Sequence, residues 1–293
     1  MRIMNGLVIV LALAAASCAN AGATDELLNA TRDALARGDT ASALQSADKA
    51  IEAAPTDLRG YLARATVHDA RREFEKAIAD YSKVIELAPT VGAAYQSRGE
   101  DRFRLGQFAE SVADFDRVIA LNPEQAPFHW QRGISLYYAG EFERGAKQFE
   151  FHRTVNPEDV ENAVWHFLCV ARTAGVAKAR EGLIPIHDDG RVPMMQVHAM
   201  FAGQLTPEQV LAAVNTGSPS PADLRQRNFY AHLYIGLFLE AQGKTADVNE
   251  HLKQAAEKFA DDGYMGDVAR AHLIHLKQAS KNVPQNGMKG TKN

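Results

Sequence analysis

The chain has 293 residues, of which 46% are hydrophobic, 23% charged and 8% aromatic, an ordinary globular balance that excludes a mainly disordered or fibrous protein. Its 32 Lys and Arg against 36 Asp and Glu give a net charge of −4, so no basic excess exists to neutralise phosphates, which argues against a dedicated nucleic-acid binder. Two cysteines are too few for a disulfide scaffold.

The first element predicted is an address, a signal peptide over residues 1–21. Arg2 gives a short positive start, and Gly6 to Ala16 is an uncharged apolar run. That run has the length of a signal-peptide core and falls short of the ~20 residues that span a bilayer. Two cleavage readings stay open. Ala19-Asn20-Ala21 fits the small-x-small rule and would release a soluble protein. Ala15-Ala16-Ser17-Cys18 resembles a bacterial lipobox, with Ala15 where Leu is usual, and would make Cys18 a lipid anchor. Export leaves Cys169 alone in the mature chain, inside the apolar stretch Trp165 to Val170, where a buried small hydrophobe is expected.

After the leader the sequence repeats. Pro55, Pro89, Pro123 and Pro157 stand 34 residues apart, and Gly38, Gly106 and Gly140 keep the same period with Arg72 in the missing place. Ala93 to Pro123 and Pro127 to Pro157 repeat Arg-Gly, the turn glycine, two phenylalanines and Asn-Pro in register. Each unit is predicted as two short helices. In the third, Tyr95 to Leu105 forms the first helix, Gly106 breaks it, and Phe108 to Leu121 forms the second, with Val112, Phe115, Val118 and Ile119 at helical spacing. Pro123 then ends the pair, because proline lacks the amide proton and clashes with the preceding turn. Gly99 and Gly133 in first helices, and Ala43, Ala77, Ser111 and Gly145 in second helices, allow close approach of the two.

This spacing resembles the tetratricopeptide repeat (TPR) family, with units at about 24–57, 58–91, 92–125 and 126–159. The resemblance implies an all-α helical-hairpin solenoid wound as a right-handed superhelix. From 160 to 227 the pattern degenerates. Glu158 to Ala174 and Ala177 to Leu183 are expected as helices, Ile184 to Pro193 as loop, Met194 to Ala202 and Pro207 to Asn215 as helices, and Thr216 to Pro221 as loop again. Thr206 is a good cap and Pro207 a good first residue. Asn228 to Ala260 returns as a TPR-like unit, with Gly236 and Gly243 spaced like Gly99 and Gly106. Residues 261–280 are expected as a helix covering the exposed end of the stack, and 281–293 as a disordered tail.

No pattern for catalysis or metal binding stands out. Gly-x-Ser-x-Gly, HExxH, a phosphate loop and GxGxxG after a strand are all missing from the sequence. His272 and His275 lack completing ligands nearby, and His187-Asp188-Asp189-Gly190 is expected as a turn rather than a calcium loop. The expectation is a non-enzymatic protein with no cofactor and no metal. The rival catalytic reading needs a cleft in 176–227 gathering His187, Asp188, Asp189 and His198.

The repeats themselves supply the candidate site. His129, Arg132, Gly133 and Leu136 share one face of the fourth unit's first helix, leaving Trp130, Ile134, Tyr137 and Tyr138 on another. Gln96, Glu100, Phe103 and Arg104 hold the matching positions in the third unit. In TPR proteins that face lines a concave groove that binds peptides, and the aromatics would be its anchors. The opposing reading is that these side chains pack against the next repeat. Leu62, Thr66 and Ser97 replace the Lys and Asn of a carboxylate clamp, so that specificity is not expected.

A finer resemblance rests on Arg132 to Phe142, Asn156 to Leu168 and Asn228 to Lys244, in that order, together with the leader and Cys18. These segments are similar to the NlpI-type TPR lipoproteins of bacterial envelopes. That likeness implies a homodimer that docks envelope proteases and peptidoglycan hydrolases. The expected function is an exported scaffold binding protein or peptide partners, touching membrane only through a lipid at Cys18 and binding no nucleic acid. The alternative is a self-associating envelope-assembly subunit.

Overall fold

A computed structural model describes residues 22–261 and 263–281; the predicted leader with Cys18 and the predicted tail lie outside the described residues. Fifteen α-helices and no strand are found among the described residues. They are α1 (22–36), α2 (Thr40–Ala53), α3 (Leu58–Ala70), α4 (Phe74–Leu87), α5 (Gly92–Arg104), α6 (Phe108–Leu121), α7 (Trp130–Tyr138), α8 (Phe142–His152), α9 (Val160–Ala174), α10 (Val176–Glu181), α11 (Met194–Phe201), α12 (Pro207–Ala213), α13 (Pro221–Ala241), α14 (Thr245–Lys253) and α15 (Tyr264–Lys281). A 3₁₀ segment, Pro123–Phe128, precedes α7, and a π-helical stretch, Gln254–Lys258, follows α14. The chain is an all-α array of helical hairpins.

Local chemistry sets the helix ends. Asp39, Asp57 and Asp159 accept from backbone amides in the first turns of α2, α3 and α9, each at 3.0 Å. Thr206 with Gln209, and Ser220 with Asp223, form reciprocal capping boxes. The turns between paired helices need a left-handed residue: Gly38, Gly106 and Gly140 have φ of 75°, 75° and 80°. Arg72, at the same step of the period, is held at φ 56°.

The chain divides into two compact units, one ending at Arg102 and one beginning at Phe103. In the first, α3 packs on α2 and α4 around small side chains, with Ala65, Ala77, Tyr81, Val84 and Ala94 in one cluster and Ala34, Ala43 and Val67 in another. In the second, a continuous core runs from Phe103 to Ala271 and holds Trp165, Phe149, Phe167, Phe201, Phe229 and Tyr234, all fully buried. Gly133 lets α7 meet α8 closely, since a Cβ there would stand 2.7 Å from the Phe149 ring. Gly145 does the same against Cys169, whose thiol is buried and pushed up by that burial.

Polar bonds repeat with the helices. In the first unit Arg64 reaches Asp48 at 2.9 Å and Asp80 at 2.7 Å, and Arg98 donates to Ser82 at 2.9 Å. In the second, Arg132 reaches Asp116 at 2.6 Å and Gln148 at 2.8 Å. His166 takes the next place in that series and meets Glu150 at 3.4 Å.

Two elements differ from the sequence reading. The helix expected to begin at Asn228 starts at Pro221, because the Ser220–Asp223 box nucleates it inside the stretch expected as loop. The last helix covers more than the preceding hairpin. Beyond packing on α14 and the π-helical stretch, α15 lies along the third and fourth repeats: Tyr264 stacks on Phe103, and His275 meets the Phe108 and Tyr138 rings edge-on.

Candidate functional site

The groove residues expected from the repeats meet different fates. Gln96 and Glu100 remain half-buried, Gln96 donating to Glu100 at 2.7 Å. Phe103, Ile134, Tyr137 and Tyr138 are buried, not lining an open groove. α15 covers Phe103 and Tyr138 through Tyr264, His272 and His275, while Tyr137 packs against Phe142 and Trp165. Tyr138 hydrogen-bonds His272 Nδ1 at 2.9 Å, and His272 Nε2 faces Glu240 at 3.3 Å. Burial alone would raise the Glu240 carboxyl, but His272 holds it below its ordinary value. Arg104 is tied to Asp267 of α15 at 2.7 Å. Of the aromatic set, Trp130 alone keeps a half-exposed side chain.

Trp130 and Ile134 instead line a cavity of about 410 Å³ within the second unit. Its walls come from α7, α8, α9, the middle of α13 and the turn into α15. The aromatic side is formed by Trp130, Trp165, Tyr230 and Tyr264, with Trp130 edge-on to Tyr264 at 5.1 Å. The acidic side is formed by Asp159, Glu161 and Asp261, and no Lys or Arg lines it among the described residues.

Two buried polar atoms of lining residues have no protein partner. Asn162 donates through Nδ2 to the Phe149 carbonyl at 3.1 Å, leaving Oδ1 unmatched, and the Trp165 indole Nε1 is unmatched as well. Their residues are 3% and 1% exposed, so water does not compensate freely.

Two residues of the acidic wall, Asp159 and Glu161, are held by Arg191 from the loop after α10. Arg191 bonds Asp159 at 2.8 Å, Glu161 at 2.5 Å and Asp189 at 2.6 Å, so one guanidinium serves three carboxylates. Tyr234 donates to the other Glu161 oxygen at 2.7 Å. Burial raises the Glu161 carboxyl despite Arg191. Burial would also raise Asp189, but the bonds from Arg191 hold it below its ordinary value.

The residues of the rival catalytic reading are not gathered in a cleft. His187 is 79% exposed at its side chain and pairs with Glu158 at 3.1 Å. Asp188 is exposed, Asp189 is the buried partner of Arg191, and His198 hydrogen-bonds the Ile184 carbonyl at 2.9 Å. Among the described residues no group of three or more His, Cys, Asp or Glu could hold a metal ion. Nor is any described helix long and apolar enough to cross a membrane.

The cavity residues missed in the sequence are Asp159, Glu161, Asn162, Trp165, Tyr230, Asp261 and Tyr264. Glu161, Asn162, Trp165, Tyr230 and Tyr264 come from helices outside the regular period, and Asp159 and Asp261 from the turns before α9 and α15.

Comparison with known proteins gives the following. The tetratricopeptide repeat family matches residues 28–91 and 97–150. No curated protein matches the chain. Among solved structures, a tetratricopeptide repeat protein from Parabacteroides merdae is 16% identical, with a TM-score of 0.56 over 87% of this chain and 99% of that one. A MamA protein is 17% identical, with a TM-score of 0.51 over 62% of this chain and 93% of its own. MamA from Desulfovibrio magneticus is 17% identical, with a TM-score of 0.50 over 54% and 90%. At these identities the likeness is one of fold.

Proposed function

From the premise that the chain is a tetratricopeptide repeat protein, we propose that it is an exported scaffold that binds protein or peptide partners on the faces of its first helices. The observation that carries this reading is the repeat itself: stacked hairpins leave one face of each first helix unmatched by its second helix. In the first unit that face shows Leu62, Thr66, Gln96 and Glu100, half-buried or exposed. In the second it shows Trp130 at the mouth of the cavity. A preformed surface of this kind loses little entropy on binding. The leader supports export, Cys18 supports a lipid anchor, and the likeness to NlpI-type lipoproteins supports envelope proteases or peptidoglycan hydrolases as partners.

The test places a photo-cross-linking amino acid at Thr66, Gln96 or Trp130, and at Glu75 or Glu110 on second helices. The expected result is cross-linked partners from the first three positions only. Equal capture from Glu75 and Glu110 would overturn the reading. Incorporation of a fatty-acid analogue, lost in Cys18→Ser, tests the anchor.

Self-association is a second reading, favoured by Phe128 and Phe151, which are 54% and 47% exposed. The bond between His152 Nδ1 and the Pro127 carbonyl, 2.8 Å, brings their neighbouring residues together. Light scattering on Phe128→Ser with Phe151→Ser tests it; a monomeric wild type would dismiss it.

A further inference from the structure

We propose that the cavity in the second unit is a pocket for a basic side chain, lysine or arginine, carried by a peptide segment. The proposal deepens the scaffold reading and rests on it.

Charge is the first argument. Asp159, Glu161 and Asp189 share the single guanidinium of Arg191, and Asp261 adds a further lining carboxylate. Arg270, near Asp261, donates to the Asp261 carbonyl and to Asp267 at 2.7 Å, a carboxylate it shares with Arg104, and it does not line the cavity. The lining is therefore short of positive charge. An anion would meet three lining carboxylates, and an uncharged side chain would leave that deficit unanswered.

The aromatic wall is the second. Trp130 and Trp165 present rings, while Arg191 already lies over Tyr230, 6.0 Å from its centroid, and Tyr264 stacks on Phe103; a cation near ring faces gains from their quadrupoles, most where water is thin. Lysine and arginine also carry apolar stems that match such walls. The volume, about 410 Å³, admits one long side chain with part of its backbone.

The unmatched atoms are the third. Asn162 Oδ1 needs a donor, which an ammonium or guanidinium supplies. Trp165 Nε1 needs an acceptor, which a peptide carbonyl supplies. A peptide bearing a basic residue offers both, and a free amine offers only the first.

The test is calorimetric titration of the full chain with pentapeptides, acetylated and amidated, carrying lysine, arginine, norleucine or glutamate at the centre, and with n-butylamine and n-butylguanidine. Saturable binding is expected for the lysine or arginine peptide, weakened by salt, and at least about tenfold weaker for norleucine. Asp261→Asn keeps the bond from the Gly263 amide, and with Trp130→Leu it should weaken binding about tenfold each while circular dichroism stays unchanged. Equal binding of the norleucine peptide overturns the charge argument. Free amines binding as tightly as the peptides overturn the peptide source. If no peptide saturates while Thr66 and Gln96 still cross-link partners, the pocket falls and the scaffold stands. If peptides bind but partners cross-link from second helices, the scaffold reading falls instead.

Discussion

The two units solve the same packing problem with different side chains. The first closes α2, α3 and α4 over alanines and valines, and spans them with polar bonds such as Arg64 to Asp80 and Tyr81 to Asp69, the latter 2.6 Å. The second buries tryptophan, phenylalanine and tyrosine in one connected core. Apolar burial contributes roughly 25 cal/mol per Å², so large rings give the second unit most of its cohesion from area. The first, with less area to remove from water, leans more on geometry and charge. The lesson is that one backbone period can be held by two currencies of interaction, and each should fail under its own stress.

The largest expected effect is in the second unit. Trp165→Ala should cost about 4 kcal/mol, since a fully buried ring leaves a void that its rigid neighbours fill poorly. Hydrogen exchange should quicken in α7, α8 and α9 and stay unchanged in α2 to α4; uniform quickening would erase the contrast.

Acid should separate the units next. Burial pulls His129 and His232 down to about 4 and lowers His166, His251 and His275, all in the second unit. An unfolded histidine takes its proton near 6.5, whereas these resist until lower pH. Unfolding therefore binds protons in that window, and stability is lost as pH falls from about 7 toward the folded values. A thermal melt should drop by several degrees between pH 7 and pH 5. In His129→Phe the drop should shrink, because that imidazole lies against Phe115 with neither nitrogen bonded.

In the first unit, Asp80→Ala should cost about 1–2 kcal/mol, measured by denaturant melting, because it removes the buried partner of Arg64 and leaves only the more exposed Asp48. Gly133→Ala in the second should cost about 1–2 kcal/mol by displacing the Phe149 ring. In the second repeat the equivalent position is already Ala65, fully buried, so the two repeats differ there by one methyl. Smallest is Arg72→Gly, expected to stabilise the first unit by about 1 kcal/mol or less by relieving its left-handed turn.

The hairpins were legible because prolines, turn glycines and interlocking rings recur at a fixed step, and each local choice agrees with its neighbours. The polar series of Arg64, Arg98 and Arg132 obeys the same step and could have been found that way; His166 hides it by changing residue type. The site was less legible. Tyr137 and Tyr138 looked like groove anchors because a repeat taken alone has no neighbour on that side. The cover of Tyr138, α15, comes from more than a hundred residues downstream, and the acidic wall joins Asp159 and Glu161 to Asp261, far along the chain. Contacts of that sequence separation leave no spacing to read.

The bond between Tyr138 and His272 also has a consequence for synthesis. The fourth repeat leaves the ribosome well before the helix that shields it, by roughly ten seconds at ordinary rates of translation. Until the final helix emerges, Phe103 and Tyr138 lack the Tyr264, His272 and His275 rings that pack on them, and a chain cut short before Tyr264 would leave them so. Completion of the polypeptide is thus what makes this surface non-sticky, and premature termination would turn a folded array into a target for chaperones and proteases.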